Sequence, residues 1–396
     1  MKLSLVRKID LGEPRRLELF RHSPQFGPRI LFFSGGTSLV ETCRELTQYT
    51  YNSIHIVTAM DSGGSSAVLR EAFDMPAVGD LRQRLLALAD RSWSGNPAVL
   101  RLFSHRLDKT APPDVLRDEI DALGRGEHPL MSAVSEPMRT IIRNFLGFFL
   151  EQMPRGFDLR GASVGNLILA SGYLNQRHQL DPVIYLFSNL VHVRGTVRPV
   201  TDYPLHLAAE LENGDILIGQ HRLTGKQVPP LPQSIRRIFL TPSLEDAVEL
   251  EIPAAKKIVD LISEAELICY PMGSFYSSLL ANLLPCGVGA AIRANPCPKV
   301  FIPSTFDDPE LIGKTLADQV EELVACLKRD DPGGIADGEV LNLILIDERF
   351  APYRGRLHRQ QLKERGIEVV DCRLVPSKQR PVIDGKLLAP ILLCLS

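Results

Sequence analysis

The sequence predicts an α/β protein with a three-layer, doubly wound and mainly parallel sheet, a helical lid-like insertion and a small antiparallel patch. Three observations predict it. Short, wholly apolar runs such as Ile30 to Phe33 read as strands buried on both faces, as parallel sheets require. Helical patterns separate many of these runs, giving βαβ units. Loops of Gly and Ser follow several of them, where open α/β sheets carry their ligand sites.

Residues 1–28 are polar and rich in Arg and Pro with little periodicity, and are expected to be an N-terminal extension to an α/β domain over 29–396. Ile30 to Phe33, the break Ser34-Gly35-Gly36-Thr37, a helix from Leu39 to Gln48 and the β-rich run Ile54 to Ala59 form the first βαβ unit. A helical run from Leu81 to Ala89 follows. Residues 91–152 become helical with Pro and Gly punctuation and are expected to form the lid-like insertion. Between 189 and 240 short strands alternate, and Glu212-Asn213-Gly214-Asp215 is an Asn-Gly hairpin signal for the antiparallel patch. Leu267 to Tyr270, Lys299 to Ile302, Leu341 to Ile346 and Glu368 to Val370 read as further buried strands.

The 396 residues, 44% of them hydrophobic, suffice for a large core. A formal net charge of -2 supplies no basic field, so a nucleic-acid partner is not expected. Seven cysteines stand singly without a CxxC pair, which signals neither a zinc site nor a disulfide framework and suits reduced thiols in the cytoplasm. No run approaches a membrane span.

Four small-residue loops carry the chemistry: Ser34 to Ser38, Asp61 to Ser66, Ser163 to Asn166, and Gly273-Ser274. Each is expected to lead into a helix, whose unpaired N–H groups attract anions, and Gly lets a phosphate approach the backbone. Candidate phosphate-binding residues are Gly35, Gly36, Thr37, Ser38, Gly63, Gly64, Ser65, Ser66, Ser163, Gly165, Asn166, Gly273 and Ser274. Arg70 and Arg82 are candidate diphosphate partners because a guanidinium fork suits phosphate oxygens. Asp61, ending the second strand, can hold a divalent ion or position an attacking hydroxyl, and Asp80 is a second catalytic candidate. A dinucleotide-binding dehydrogenase and a P-loop kinase both fail on spelling, since GxGxxG and GxxxxGK[ST] are absent.

Taken in order, Gly35-Gly36-Thr37, Asp61 with Gly63-Gly64-Ser65-Ser66, Gly79-Asp80-Leu81-Arg82, Gly165-Asn166-Leu167 and Gly273-Ser274 through Asn282 resemble the CofD-like (2-phospho-L-lactate transferase) family and its relative, the gluconeogenesis factor YvcK. The resemblance implies a Rossmann-like fold that binds a nucleotide diphosphate compound, with Asn282 added to the site. In the transferase branch a lactyl or related diphosphoguanosine, with magnesium, passes its phosphoryl-linked group to the terminal hydroxyl of a deazaflavin and releases GMP. In the YvcK branch the protein regulates carbon flux and binds a UDP-type nucleotide sugar. A phosphotransferase using a GDP-type donor and Mg²⁺ held at Asp61 is therefore the leading expectation. A nucleotide-sugar sensor without turnover is the alternative, and a homodimer is compatible with either.

The chain departs from both branches at named positions. Ser62 stands where a second acid is usual, Ser38 and Ala67 replace glycines, the block Tyr270-Pro271-Met272-Gly273-Ser274 lacks its usual leading glycine, and Pro303 to Pro309 differs from the YvcK stretch. Ser62 weakens the expectation of a two-acid magnesium site.

Overall fold

The computed structural model describes residues 13–92, 94–225 and 229–396; Trp93, the first twelve residues of the expected extension and residues 226–228 of the expected antiparallel segment lie outside that range. Among the described residues there are ten strands: β1 Ile30–Ser34, β2 Ile54–Val57, β3 Thr196–Pro199, β4 His206–Leu211, β5 Ile216–Ile218, β6 Ile235–Thr241, β7 Leu267–Tyr270, β8 Lys299–Phe301, β9 Leu343–Ile346 and β10 Glu368–Asp371. Seven form one sheet in the order β10-β9-β8-β7-β1-β2-β3, with every neighbouring pair parallel. This is the predicted doubly wound α/β architecture.

Side-chain alternation explains why the sheet is covered on both faces. Successive strand residues point to opposite sides. Ile30 and Phe32 of β1, Leu267 and Cys269 of β7 and Leu345 of β9 enter one core. Leu31 and Phe33, Ile268 and Tyr270, and Ile344 and Ile346 enter the other. Phe32 and Leu31 are fully buried, and burying a side chain of this kind stabilises by about 2–3 kcal/mol. The first core is closed by the helical segment and the C-terminal helix Gly385–Leu395. The second is closed by the helices Lys256–Ser263, Val288–Ala294 and Leu316–Leu327 and by the small sheet.

The helical segment between β2 and β3 holds the helices Pro97–Ser104, Pro113–Arg125 and Met138–Gln152 inside the expected 91–152 span. It continues through Val164–Asn175 and Asp181–Leu190. The small sheet, ordered β5-β4-β6, is antiparallel. Its Asn-Gly turn closes as the spelling predicts: Asp215 N–H donates to Asn213 Oδ1 at 3.1 Å, and Gly214 takes φ +88°. One strand in the 189–240 segment joins the large sheet instead. β3 pairs parallel with β2, Ile54 opposite Thr196. The 1–28 segment also carries a helix, Pro14–His22, that periodicity did not mark, because none of its residues is buried. Arg16 ties that helix to the last residues, donating to the Cys394 carbonyl at 3.2 Å. Among the described residues, no helix is long and apolar enough to cross a membrane.

Candidate functional site

In an open parallel sheet, connections that leave adjacent strands in opposite directions open a crevice at the strands' carboxyl ends. Here that point lies between β1, which leads towards β2, and β7, which leads towards β8. The loop after β1 is Gly35 to Ser38, the loop after β2 runs to Asp61, and the loop after β7 runs to Ser274. The three meet in two adjoining clefts.

The larger cleft, about 310 Å³, lies between the Gly63 to Ser66 loop, Asp61, Asp80 and the cations Arg82, Arg106 and Lys109. The second, about 230 Å³, is lined by Gly35 to Ser38, Ser274, Ser278, His221 and Thr224. Gly36, Thr37, Asp61, Gly63 and Asp80 line both. The clefts therefore share one wall, and the carboxylates are in it.

The sequence placed Asp61 and Asp80 on separate motifs, and the fold brings them together. Asp61 Oδ1 accepts from Gly63 N–H at 3.0 Å, and Asp80 Oδ2 accepts from the Thr58 hydroxyl at 2.9 Å. Bare backbone makes the room. A Cβ on Gly35 would stand 2.7 Å from Asp80 Oδ2, and one on Gly79 would stand 3.2 Å from Asp61 Oδ2. Burial, reinforced by the charge of Asp80, pushes the Asp61 carboxyl up to about 6. The second acid that Ser62 does not supply is thus present as Asp80. Two carboxylates beside a glycine- and serine-rich loop make an oxygen-rich set of the kind that magnesium accepts.

In the lining of the larger cleft, Arg82 donates from Nε to Asn166 Oδ1 at 2.8 Å. Its aliphatic stem lies where a side chain on Gly165 would be, 2.7 Å from that glycine's ideal Cβ. Burial, then the neighbouring Arg106, lowers Arg82 to about 10, which leaves it charged at neutral pH. Arg106 comes from the helical segment and is held by a bond to the Gly161 carbonyl at 3.1 Å. Ser65 Oγ accepts from Ser163 N–H at 3.3 Å, so Ser163 supports the cradle through its backbone.

Several candidates are placed behind the clefts instead of in them. Arg70 donates to the carbonyls of Met75, Met60, Asp61 and Leu205 and braces the β2 loop from beneath. Asn282 Nδ2 donates to the carbonyls of Ser34 and Ser278, tying β1 to the segment after β7. Gly273 lies outside both linings with φ +153°. The fourth loop leads into no α-helix. Phe275–Leu279 is one wide turn, with Leu279 N–H bonded to the Ser274 carbonyl, and a 3₁₀ turn Leu280–Leu283 follows. Wide turns of this kind recur at functional sites.

Glu310 holds that turn in place. Its carboxylate is fully buried and accepts from Tyr276 N–H at 2.9 Å, from Ser277 N–H at 2.8 Å and from the Ser277 hydroxyl. Burial, with Asp308 beside it, pushes its carboxyl up to about 7. Glu310→Ala strands two buried backbone donors and is expected to destabilise the fold by about 3 kcal/mol, read as a lower urea midpoint. An unchanged midpoint would show that the turn does not depend on this carboxylate.

Reasoning from loop spelling missed Gln83, Arg106, Lys109, Gln220, His221 and Thr224, all of which line a cleft. Among the described residues, one further cluster could hold a metal: His105, Glu119 and His128, with ligand atoms within 4.8 Å of one another. It reads better as a hydrogen-bonded knot. Leu130 N–H donates to His128 Nδ1 at 3.2 Å, so a neutral His128 carries its proton on Nε2, where a metal would need a lone pair. His105 Nε2 lies 2.7 Å from Glu119 Oε1, which anchors the chain next to Arg106.

The sequence model of the family described as 2-phospho-L-lactate transferase CofD matches residues 30–388. The chain belongs to the CofD family. It is 30% identical over 358 residues to the gluconeogenesis factor of Bacillus subtilis, covering 89% of this chain and 92% of that one. It is 27% identical to the gluconeogenesis factor of Halalkalibacterium halodurans, over 74% of this chain and 72% of the relative. A crystal structure of a UPF0052 family member from Bacillus halodurans superposes with a TM-score of 0.66 at 24% identity, covering 92% of this chain and 99% of that one. That likeness concerns the fold. Within the CofD family frame, the shared wall of Asp61 and Asp80 lies inside the matched region, as do Arg82, Arg106 and Asn166.

Proposed function

We propose that this protein binds a nucleoside diphosphate compound across the two clefts and transfers its phosphoryl-linked group to a hydroxyl acceptor. The observation that carries the reading is the shared wall: two clefts meeting at the Asp61 and Asp80 carboxylates, one of them faced by three cations. The Gly63 to Ser66 loop and the start of the helix Gly64–Phe73 would present N–H groups to the diphosphate. Arg82, Arg106 and Lys109 would offset its charge. The acceptor hydroxyl would enter from the second cleft, past Gly36 and Thr37.

Asp61 and Asp80 would hold a magnesium ion, which when bound neutralises charge on the diphosphate oxygens. The Asp61 and Asp80 carboxylates, lining both clefts, would orient an acceptor hydroxyl entering from the second cleft towards the phosphorus. Positioning and charge neutralisation supply most of the rate in such transfers. Localisation in the cytoplasm accords with this reading and with reduced cysteines.

A second reading is a regulator that binds a nucleotide sugar without turnover; the Bacillus subtilis and Halalkalibacterium halodurans relatives are named gluconeogenesis factors, which accords with a regulatory role in carbon metabolism. Phosphorus NMR of a GDP-linked donor mixed with the protein, magnesium and a hydroxyl acceptor separates the two. Transfer predicts nucleoside monophosphate in amounts exceeding the protein. A diphosphate returned intact after binding refutes transfer and leaves the regulator.

A further inference from the structure

The wall of the second cleft contains a feature that the phosphate loops do not explain. Ser62 Oγ accepts from His221 N–H at 3.2 Å and lies 2.8 Å from His221 Nδ1. Ser62 is buried. The backbone N–H is a donor to Oγ, so the buried hydroxyl hydrogen is satisfied when it is given to Nδ1, 2.8 Å away. In that arrangement the neutral imidazole carries its lone pair on Nδ1 and its proton on Nε2.

The backbone is shaped around this pair. His221 lies in the single turn Gln220–Leu223, entered through Gly219 at φ +102°, which L side chains rarely adopt. A Cβ at Gly219 would stand 2.8 Å from His221 Cε1 and 3.2 Å from Ser62 Oγ, so the imidazole and hydroxyl occupy the space a side chain would need. Gly219 N–H is in turn bonded to the Leu207 carbonyl at 2.8 Å, fixing the turn to β4. His221 lines the cleft together with Asp61, Asp80 and Ser274.

We infer that Ser62 and His221 form a positioning dyad, in which the Ser62 hydroxyl fixes the imidazole so that Nε2–H is presented to a phosphate oxygen of the bound ligand. The inference rests on the cleft being a phosphate site. It also gives Ser62 a role: its hydroxyl orients a neutral donor. A neutral N–H beside two carboxylates donates to a phosphate oxygen without adding a third negative group to the wall.

The test is calorimetric titration of the full chain with magnesium pyrophosphate, together with nitrogen NMR of ¹⁵N-histidine-labelled protein. Wild type is expected to bind and to show His221 protonated at Nε2. His221→Asn, which can reproduce only the Nδ1 side, is expected to bind about tenfold more weakly. His221→Gln, which places an N–H near the Nε2 position, is expected to recover most of that loss. Ser62→Ala is expected to lose the single-tautomer signature while the chain stays folded. Binding by wild type with His221→Asn unchanged, or a His221 protonated at Nδ1, overturns the dyad alone. Absence of pyrophosphate binding by wild type overturns the phosphate-site reading and the dyad's ligand contact with it.

Discussion

Asp61→Asn is expected to reduce any phosphoryl-group transfer by about 100-fold or more, while making the ligand-free protein more stable. The loss follows from removing one of the two carboxylates that would hold the cation, in a wall both clefts share. The gain follows from the proton equilibrium of Asp61. Its carboxyl is raised from 3.8 to about 6 by burial and by Asp80, so the folded chain holds this proton more tightly than the unfolded chain does. Stability is therefore favoured at pH below the ordinary carboxyl value and is lost as pH rises through about 6. The penalty at neutral pH is on the order of 2–3 kcal/mol, and asparagine avoids it. Urea melts in EDTA at pH 5 and pH 8 check this. The wild type should lose stability between the two and Asp61→Asn should lose less. Equal pH dependence in both would show that Asp61 ionises freely.

Arg82→Met is expected to weaken diphosphate binding by about 100-fold, the effect of losing a charge-assisted contact in a desolvated site. Arg82 is buried, and its guanidinium is fixed by Asn166. Arg106 and Lys109 are exposed on the same wall, where water already screens them, so Arg106→Met should cost nearer tenfold. Calorimetric titration with a nucleoside diphosphate in low and high salt measures both. The cationic-wall account predicts that the Arg106 contribution shrinks in salt and that of Arg82 persists. Comparable, small losses for the two variants would show that the ligand does not reach Arg82.

The main sheet was legible because its strands are short apolar runs with both faces buried, as Leu31 and Phe32 illustrate by entering opposite cores. β3 was grouped with the antiparallel patch because Thr196–Pro199 is only half apolar and runs straight into that patch in sequence. Its parallel pairing depends on a partner, β2, that lies more than a hundred residues earlier. The helix Pro14–His22 gave no signal because it buries none of its residues.

At the site, glycine and serine loops announced themselves because their geometry is local. The meeting of Asp61 with Asp80 was not local, and a search for a neighbouring acid stopped at Ser62. Arg70 was a reasonable diphosphate candidate by proximity to the loop, but its four carbonyl partners become visible only once the chain is folded over it. Arg106, Lys109 and His221 arrive from the helical segment and from the turn after β5. A signal for the first two was available: a diphosphate needs several cations, and the sequence offered Arg106 and Lys109 immediately after an apolar helix.

The central claim is that the clefts flanking Asp61 and Asp80 hold a nucleoside diphosphate with magnesium. Calorimetric titration of the wild-type chain with GDP and with UDP, each in magnesium and in EDTA, tests it most directly. The account predicts saturable binding of at least one diphosphate that weakens at least tenfold in EDTA. No binding of either diphosphate at millimolar concentration, in magnesium or without it, would contradict the account.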